Sequence, residues 1–383
     1  MERSMGDYNK TINEVILHVG LHKTGTSSIQ ATLYSQANNI LMEKKDYLYP
    51  ASLDPNHSIP IYSAFCDFPE KYHINVLLGY DIEQIKKINT QNLKALEMEI
   101  SKIRKSKLVI VGEDISSLSM VNLHLLKKYF ESLSSNDVTF KVIIYVRNPL
   151  TWSISSIQEK IKGGYTYHDA FNELKTIVKD LFTSSISKFI EVFGKDKVKV
   201  YPFEEAIQSS YSINGHFLSL LGFKESEIKQ FRMARANVSI SKISAELISF
   251  INEKLPLSQN NKLNEKRSNG DIIPLLTIRG PKFDIPHADK GEILEISKDD
   301  RKWLKEIWGI DYLNSKELAV SDGNKEFSEE TCLDIKKAYF SPLLSLDLKD
   351  LLFNFLKEEQ HQNVLDTNCF LKSLLDEITE VRN

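Results

Sequence analysis

The run EVILHVGLHKTGTSSIQ, residues 14–30, constrains this chain more than any other stretch. A short apolar run (Val15, Ile16, Leu17) ending near a glycine is the pattern of a parallel strand buried on both faces. Gly20 and Gly25, the single lysine Lys23 and a cluster of hydroxyls follow, and then Ile29 and Leu33 set a helical period. Successive backbone N–H groups in a glycine-rich turn, with a helix N-terminus behind them, form a cradle for anions. The pattern predicts a phosphate-binding loop at the end of the first strand.

The position of the lysine bears on which phosphate. An ATP-splitting loop reads G-x-x-x-x-G-K-[ST], its lysine reaching the β- and γ-phosphates. Gly20 and Gly25 have that separation, but Thr26 stands in the lysine's place and Ser27 follows. Lys23 lies inside the turn instead, beside the phosphate the loop would cradle, where it can neutralise a leaving oxygen. The donor's first phosphate would then be the leaving group. The hydroxyls of Thr24, Thr26, Ser27 and Ser28 exceed what a tight turn requires. The alternative is a strand-to-helix turn whose glycines serve sterics alone.

Three more apolar runs, KLVIVGED, FKVIIYVRNP and KVKVYPFEEA, alternate with helical segments such as TQNLKALEMEISKIRKS, LHLLKKYFESL and a long region from about 150 to 193. That alternation predicts an α/β fold: a P-loop-like parallel sheet flanked by helices, with a helical C-terminal extension. Residues 46–75 carry Pro50, Pro55, Pro60 and Pro69 and read as irregular loop with short helices. Beyond the last strand, helical patterns dominate, interrupted by the polar, basic NNKLNEKRSNGD. The expected division is a loose tail over 1–12, an α/β domain over 13–315, and a linker with a helical extension over 316–383.

A net charge of -3 gives no global field for nucleic acid or an acidic membrane, so anion binding must be local. Cys66, Cys332 and Cys369 are too few and too scattered for a disulfide framework or a zinc site, which points to a reducing compartment. The polar start MERSMGDYNK lacks the apolar core of a signal peptide, and no apolar run reaches the ~20 residues of a membrane span. A cytoplasmic protein with no metal requirement is expected. Oligomeric state leaves no signal in the sequence.

A second anion-binding element is YVRNPLTWSIS. Asn148 can cap a helix that begins at Pro149. Ligands of open α/β sheets lie beyond the carboxyl ends of the strands, so Arg147 projects toward the same edge as the glycine loop. Ser155, about two turns into the helix, can face back toward that edge. A guanidinium with a hydroxyl suits a terminal phosphate dianion. Together the two elements imply a nucleoside donor with phosphates at two separated positions. A strand-end salt bridge beside an incidental serine is the alternative.

HKTGTSSIQ with VRNPLTWSIS resembles the sulfotransferases that use 3′-phosphoadenosine 5′-phosphosulfate (PAPS), most of all bacterial members of carbohydrate type, over residues 14 to about 225. The resemblance implies that Lys23, Thr24, Gly25, Thr26, Ser27 and Ser28 hold the 5′-phosphosulfate, with His22 adding charge or a hydrogen bond. It implies that Arg147 and Ser155 hold the 3′-phosphate. Arg235 and Asn237, in RMARANVSIS, fall where the family closes a loop over the 3′-phosphate and adenine, though the R-K-G pattern of the cytosolic branch is missing; a solvated basic loop is the other reading. PAPS would be the co-substrate, and the acceptor a hydroxyl on a carbohydrate or glycoconjugate.

Two residues compete as the base that takes the acceptor's proton. Glu113, in KLVIVGED, ends the second apolar run, where carbohydrate sulfotransferases often carry a glutamate; Asp114 is its neighbour. His57, in DPNHSIP, matches an N-H-S segment common in bacterial members, and otherwise reads as a surface or capping histidine. IVGED is equally a strand end whose acid would bind magnesium, which keeps a P-loop nucleotide kinase or NTPase as an alternative. A catalytically inactive relative that binds nucleotide or glycan is another. The acceptor pocket would come from loops 46–75, 160–170 and 255–290. Lys160, Lys162, Lys266 and Arg267 either attract an anionic glycan or are ordinary solvated charges.

Overall fold

Apolar runs that are nearly unbroken become strands covered on both faces. β1 (Glu14–His18), β2 (Tyr47–Leu48), β3 (Lys107–Val111), β4 (Thr139–Val146) and β5 (Val198–Pro202) form one sheet in the order β2-β3-β1-β4-β5. Every pairing is parallel, with Leu17 of β1 opposite Ile110 of β3 and Val142 of β4. β1 is therefore central, and its last four residues are buried. The computed structural model describes residues 12–36, 40–102, 105–234, 239–259, 262–268, 270–313, 327–362 and 369–382. The expected α/β fold with a parallel sheet flanked by helices is what the chain adopts.

Three local expectations are corrected. Residues 46–75 include the edge strand β2 as well as the helix Ser58–Phe65. Two residues of strand just ahead of Pro50 carry too little periodicity to be read. The region 150–193 is three helices, Pro149–Lys162, Tyr167–Val178 and Leu181–Phe193. The first break falls at Gly163 and Gly164, the latter at φ +100°, a value glycine adopts at little cost. The second is at Asp180, ahead of a helix whose first N–H groups, Phe182 N and Thr183 N, donate to the distant Asp300 carboxylate at 2.7 and 2.8 Å. In the third, the basic stretch near 266 is less available than its sequence implies. Arg267 is buried, its Nε 2.7 Å from Asp271 and its Nη1 donating to Leu255 O at 2.6 Å. Burying that guanidinium is tolerable only because its donors are occupied.

The chain divides into two compact units. One comprises Met1–Asn148, Asp180–Ala236 and Asp300–Asp311; the other comprises Pro149–Lys179, Asn237–Asp299 and Tyr312–Asn383. This grouping cuts across the linear division at residue 315. The first unit holds the sheet. On one of the sheet's faces α1 (Thr26–Ser35) contributes Ile29 and Leu33 to a core that takes Ile16, Val109, Ile143 and Tyr145 from the strands and Phe217 and Leu218 from the helix Ser212–Leu220. The second unit is mainly helical. Its helix Lys242–Lys254 is capped by Ser241, whose hydroxyl accepts from Ser244 N. The C-terminal helices Glu329–Tyr339, Leu346–Gln362 and Cys369–Arg382 belong to it, and Asp334 accepts from Arg279 Nε at 2.7 Å. Among the described residues, no helix is long and apolar enough to cross a membrane.

Candidate active site

The glycine loop joins β1 to α1 at the carboxyl end of the central strand. Its shape is held by side chains packed beneath it. His18 is fully buried, and its Nδ1 donates to Ile143 O at 3.1 Å. That leaves Nε2 as the acceptor for the Thr26 hydroxyl at 3.4 Å. Burial lowers the His18 pKa to about 4, although the bond to Ile143 and the charge of Glu113 oppose this, so the ring is neutral at neutral pH. Thr24 is buried and donates to Leu21 O across the turn. Gly20 sits between these groups: a Cβ there would come within 2.5 Å of Thr26 Oγ1 and 2.9 Å of both His18 Cε1 and Thr24 Oγ1. Only glycine lets the backbone lie this close.

Two residues of the turn are left-handed, Lys23 at φ +67° and Gly25 at φ +84°. For glycine this is easy; for lysine it costs ~1–2 kcal/mol, and such strain persists where surrounding structure enforces it. Arg147 supplies part of that enforcement, its Nη1 donating to Lys23 O at 3.0 Å. The guanidinium lies over the Phe203 ring, 5.1 Å from its centroid, and Asn148 N donates to Glu204 Oε1 at 2.9 Å. The end of β5, which the sequence offers only as strand core, is thus the platform for Arg147. Of the hydroxyls expected to face a phosphate, Ser27 is exposed at the first turn of α1. Ser28 is buried and donates to Ala234 O at 2.9 Å, pinning the chain just before 235–238. Arg235 and Asn237 lie outside the described residues. Ser155 is half-buried in the helix Pro149–Lys162, and it and Arg147 fall in different units.

The two base candidates have different surroundings. Glu113 follows β3 and its carboxylate lies 3.7 Å from His22 Nδ1, while His22 Nε2 lies 3.4 Å from Asp114 Oδ1. Burial pushes the Glu113 carboxyl up, but the nearby His22 ring, with Lys23 and His18 behind it, outweighs burial and holds it below the usual carboxylate range. For His22, burial works against the charged ring; the neighbouring carboxylates of Glu113 and Asp114 outweigh it and raise the pKa. His57, by contrast, is fully buried and stacked on Tyr49 at 4.3 Å between centroids. Its Nδ1 accepts from Val111 N at 3.2 Å, so its proton is on Nε2, which donates to Pro50 O at 3.3 Å. Both nitrogens hold backbone, and burial lowers its pKa to about 3.

Lys160 and Lys162 are ion-paired with Glu173 and Glu159, each at 2.7 Å, and Lys266 with Asp347 at 3.2 Å. Sequence reading missed His18, Phe203 and Tyr72, whose hydroxyl donates to Asp114 Oδ2 at 2.7 Å. A histidine closing an apolar strand was a usable signal for the first; the other two depend on long-range packing. The loop, with its exposed helix start, Lys23 inside the turn and a guanidinium on the same carbonyl, suits a phosphate ester with a neutralising cation beside it.

No protein-family model matches this sequence, and no curated protein matches it. A solved structure, the crystal structure of a sulfotransferase from Alicyclobacillus acidocaldarius, is 15% identical with a TM-score of 0.35, covering 63% of this chain and 92% of that one.

Proposed function

We propose that this protein transfers a sulfuryl group from PAPS to a hydroxyl acceptor, a sugar or another alcohol. The observation that carries the reading is Lys23: it is held in a strained conformation inside the turn, and Arg147 from the adjacent strand binds its carbonyl. A triphosphate-splitting loop has no use for a cation there and needs one at Thr26. In the proposed reaction the acceptor oxygen attacks sulfur while the bond from sulfur to the 5′-phosphate oxygen breaks. The acceptor's proton passes to Glu113, and adenosine 3′,5′-bisphosphate leaves. Lys23 and the loop N–H groups neutralise the charge that develops on the leaving phosphate. Arg147 takes the 3′-phosphate.

Glu113 is ionised at neutral pH, as a base must be, yet its lowered pKa makes it a weak one. By analogy with loose phosphoryl-transfer transition states, little nucleophile activation is needed and charge neutralisation does most of the work. His22 beside it, its pKa raised by the neighbouring carboxylates, adds to the cationic field at the loop whenever it is protonated. The test is transfer of labelled sulfur from PAPS to a panel of sugars and phenols. Turnover lost in Lys23→Ala and slowed to a lesser degree in Glu113→Gln supports the reading. Magnesium-dependent ATP cleavage without sulfur transfer would replace it with a nucleotide kinase or NTPase.

A further inference from the structure

The first unit has a concavity, a pocket of about 350 Å³ beside the carboxylate pair. Its aromatic walls are Tyr62, Phe68 and Tyr72, with the Tyr62 and Tyr72 rings 4.9 Å apart between centroids. Its polar end is the start of the helix Met120–Ser132: Ser119 caps that helix by accepting from Asn122 N, and both residues line the pocket. Asn122 is 6% exposed, and its Nδ2 has no hydrogen-bond partner. Buried amide donors are almost always paired, so this one is a place held for an acceptor atom that the protein itself does not supply.

The pocket is connected to the proposed base through a relay of three side chains. Tyr72 forms its wall and donates to Asp114, which lies 3.4 Å from His22 Nε2, and His22 Nδ1 is 3.7 Å from Glu113. A ring against Tyr72 would therefore lie one hydrogen-bonded side chain away from Asp114, the base's neighbour in the chain. Charge selects what else the ring carries. The positive end of a helix, the unpaired Asn122 amide and the ammonium of Lys71, which lies over the Phe68 ring at 4.5 Å, all favour an anionic oxygen. Asp67 is the one carboxylate in the lining.

We propose that this pocket is the acceptor subsite and that it takes a hydroxylated ring bearing a carboxylate, with the carboxylate on Asn122 and the ring between Phe68 and Tyr72. The proposal rests on the sulfuryl-transfer reading above. Aryl and sugar rings share this chemistry, and the test separates them. Calorimetry would compare 4-hydroxybenzoate with 4-hydroxybenzyl alcohol, and D-glucuronate with D-glucose, on wild type and Asn122→Leu, with adenosine 3′,5′-bisphosphate titrated in parallel. At least one acid should bind tenfold or more tightly than its neutral counterpart, and Asn122→Leu should erase that margin. The variant should keep its bisphosphate affinity and melt at or above the wild-type temperature, because an unpaired donor has been replaced by a similar apolar group. A lower melting temperature would make Asn122 a structural residue and overturn the proposal. So would equal binding of acid and neutral ring, or a margin that survives in Asn122→Leu. Should the acid margin behave as expected while wild type fails to bind the bisphosphate, the donor reading falls and the acceptor role with it.

Discussion

Gly20→Ala tests whether the loop is a built cradle. The new methyl group would come within 2.5 Å of Thr26 Oγ1 and 2.9 Å of Thr24 Oγ1 and His18 Cε1. None of these can retreat cheaply, because Thr26 is bonded to His18, Thr24 to Leu21, and His18 to Ile143. Overpacking of this kind costs ~1–3 kcal/mol. Breaking one or two of the hydrogen bonds adds ~0.5–1.5 kcal/mol each, for a total of ~1.5–6 kcal/mol. At ~1.2 °C per kcal/mol for a chain of this size, the melting temperature should fall by ~2–7 °C. Bisphosphate affinity should fall at least ~10-fold, because the turn's N–H groups are displaced with the backbone. Gly291→Ala is the control: it lies in the helix His287–Ile296 with nothing near the new methyl, and should be neutral or stabilising by up to ~1 kcal/mol. Differential scanning fluorimetry and calorimetric titration read both effects. Wild-type melting and wild-type bisphosphate affinity in Gly20→Ala would refute the reasoning.

Lys23→Ala should lower kcat by ~10²–10³-fold with a much smaller change in donor affinity, since its charge acts on the leaving oxygen; single-turnover kinetics separates the two. Arg147→Ala should weaken bisphosphate binding by ~10–150-fold, the value of a charge-assisted contact, and calorimetry would show less loss in Arg147→Lys. Acid should unfold the protein early. His18 and His57 are held neutral by burial at about 4 and about 3, below the ordinary 6.5, so the unfolded chain binds more protons below pH 6.5. Stability is then lost as pH falls from 6.5 through the folded values, ~2 kcal/mol from each ring by pH 5. Urea midpoints measured at pH 7, 6 and 5 should fall accordingly, and a flat profile would mean that these rings are not buried neutral.

Much of the fold could be read from local pattern. Four of the five strands are apolar runs, and the loop between β1 and α1 shows its glycines, lysine and hydroxyls in one continuous stretch. What could not be read depends on residues far apart in the chain. β2 is two residues long and exists because Tyr47 and Leu48 pair with Lys107 and Leu108. His57 carries the same local sequence whether it faces solvent or the core; its burial follows from Tyr49, Pro50 and Val111 closing round it. Arg267 sits in a run that looks solvated, and only Asp271, Leu255 and Asn252 show it to be enclosed. The hydroxyls divide for the same reason: Ser28 serves Ala234 from 206 residues away, while Ser27, next to it, is exposed.

Parallel calorimetric titration with adenosine 3′,5′-bisphosphate, ATP and AMP, with and without magnesium, addresses the central claim most directly. The account predicts that the bisphosphate binds tightest without needing the metal, and that Arg147→Ala abolishes its advantage over AMP. Tighter binding of ATP that requires magnesium would contradict it, and would make Glu113 a metal-site acid.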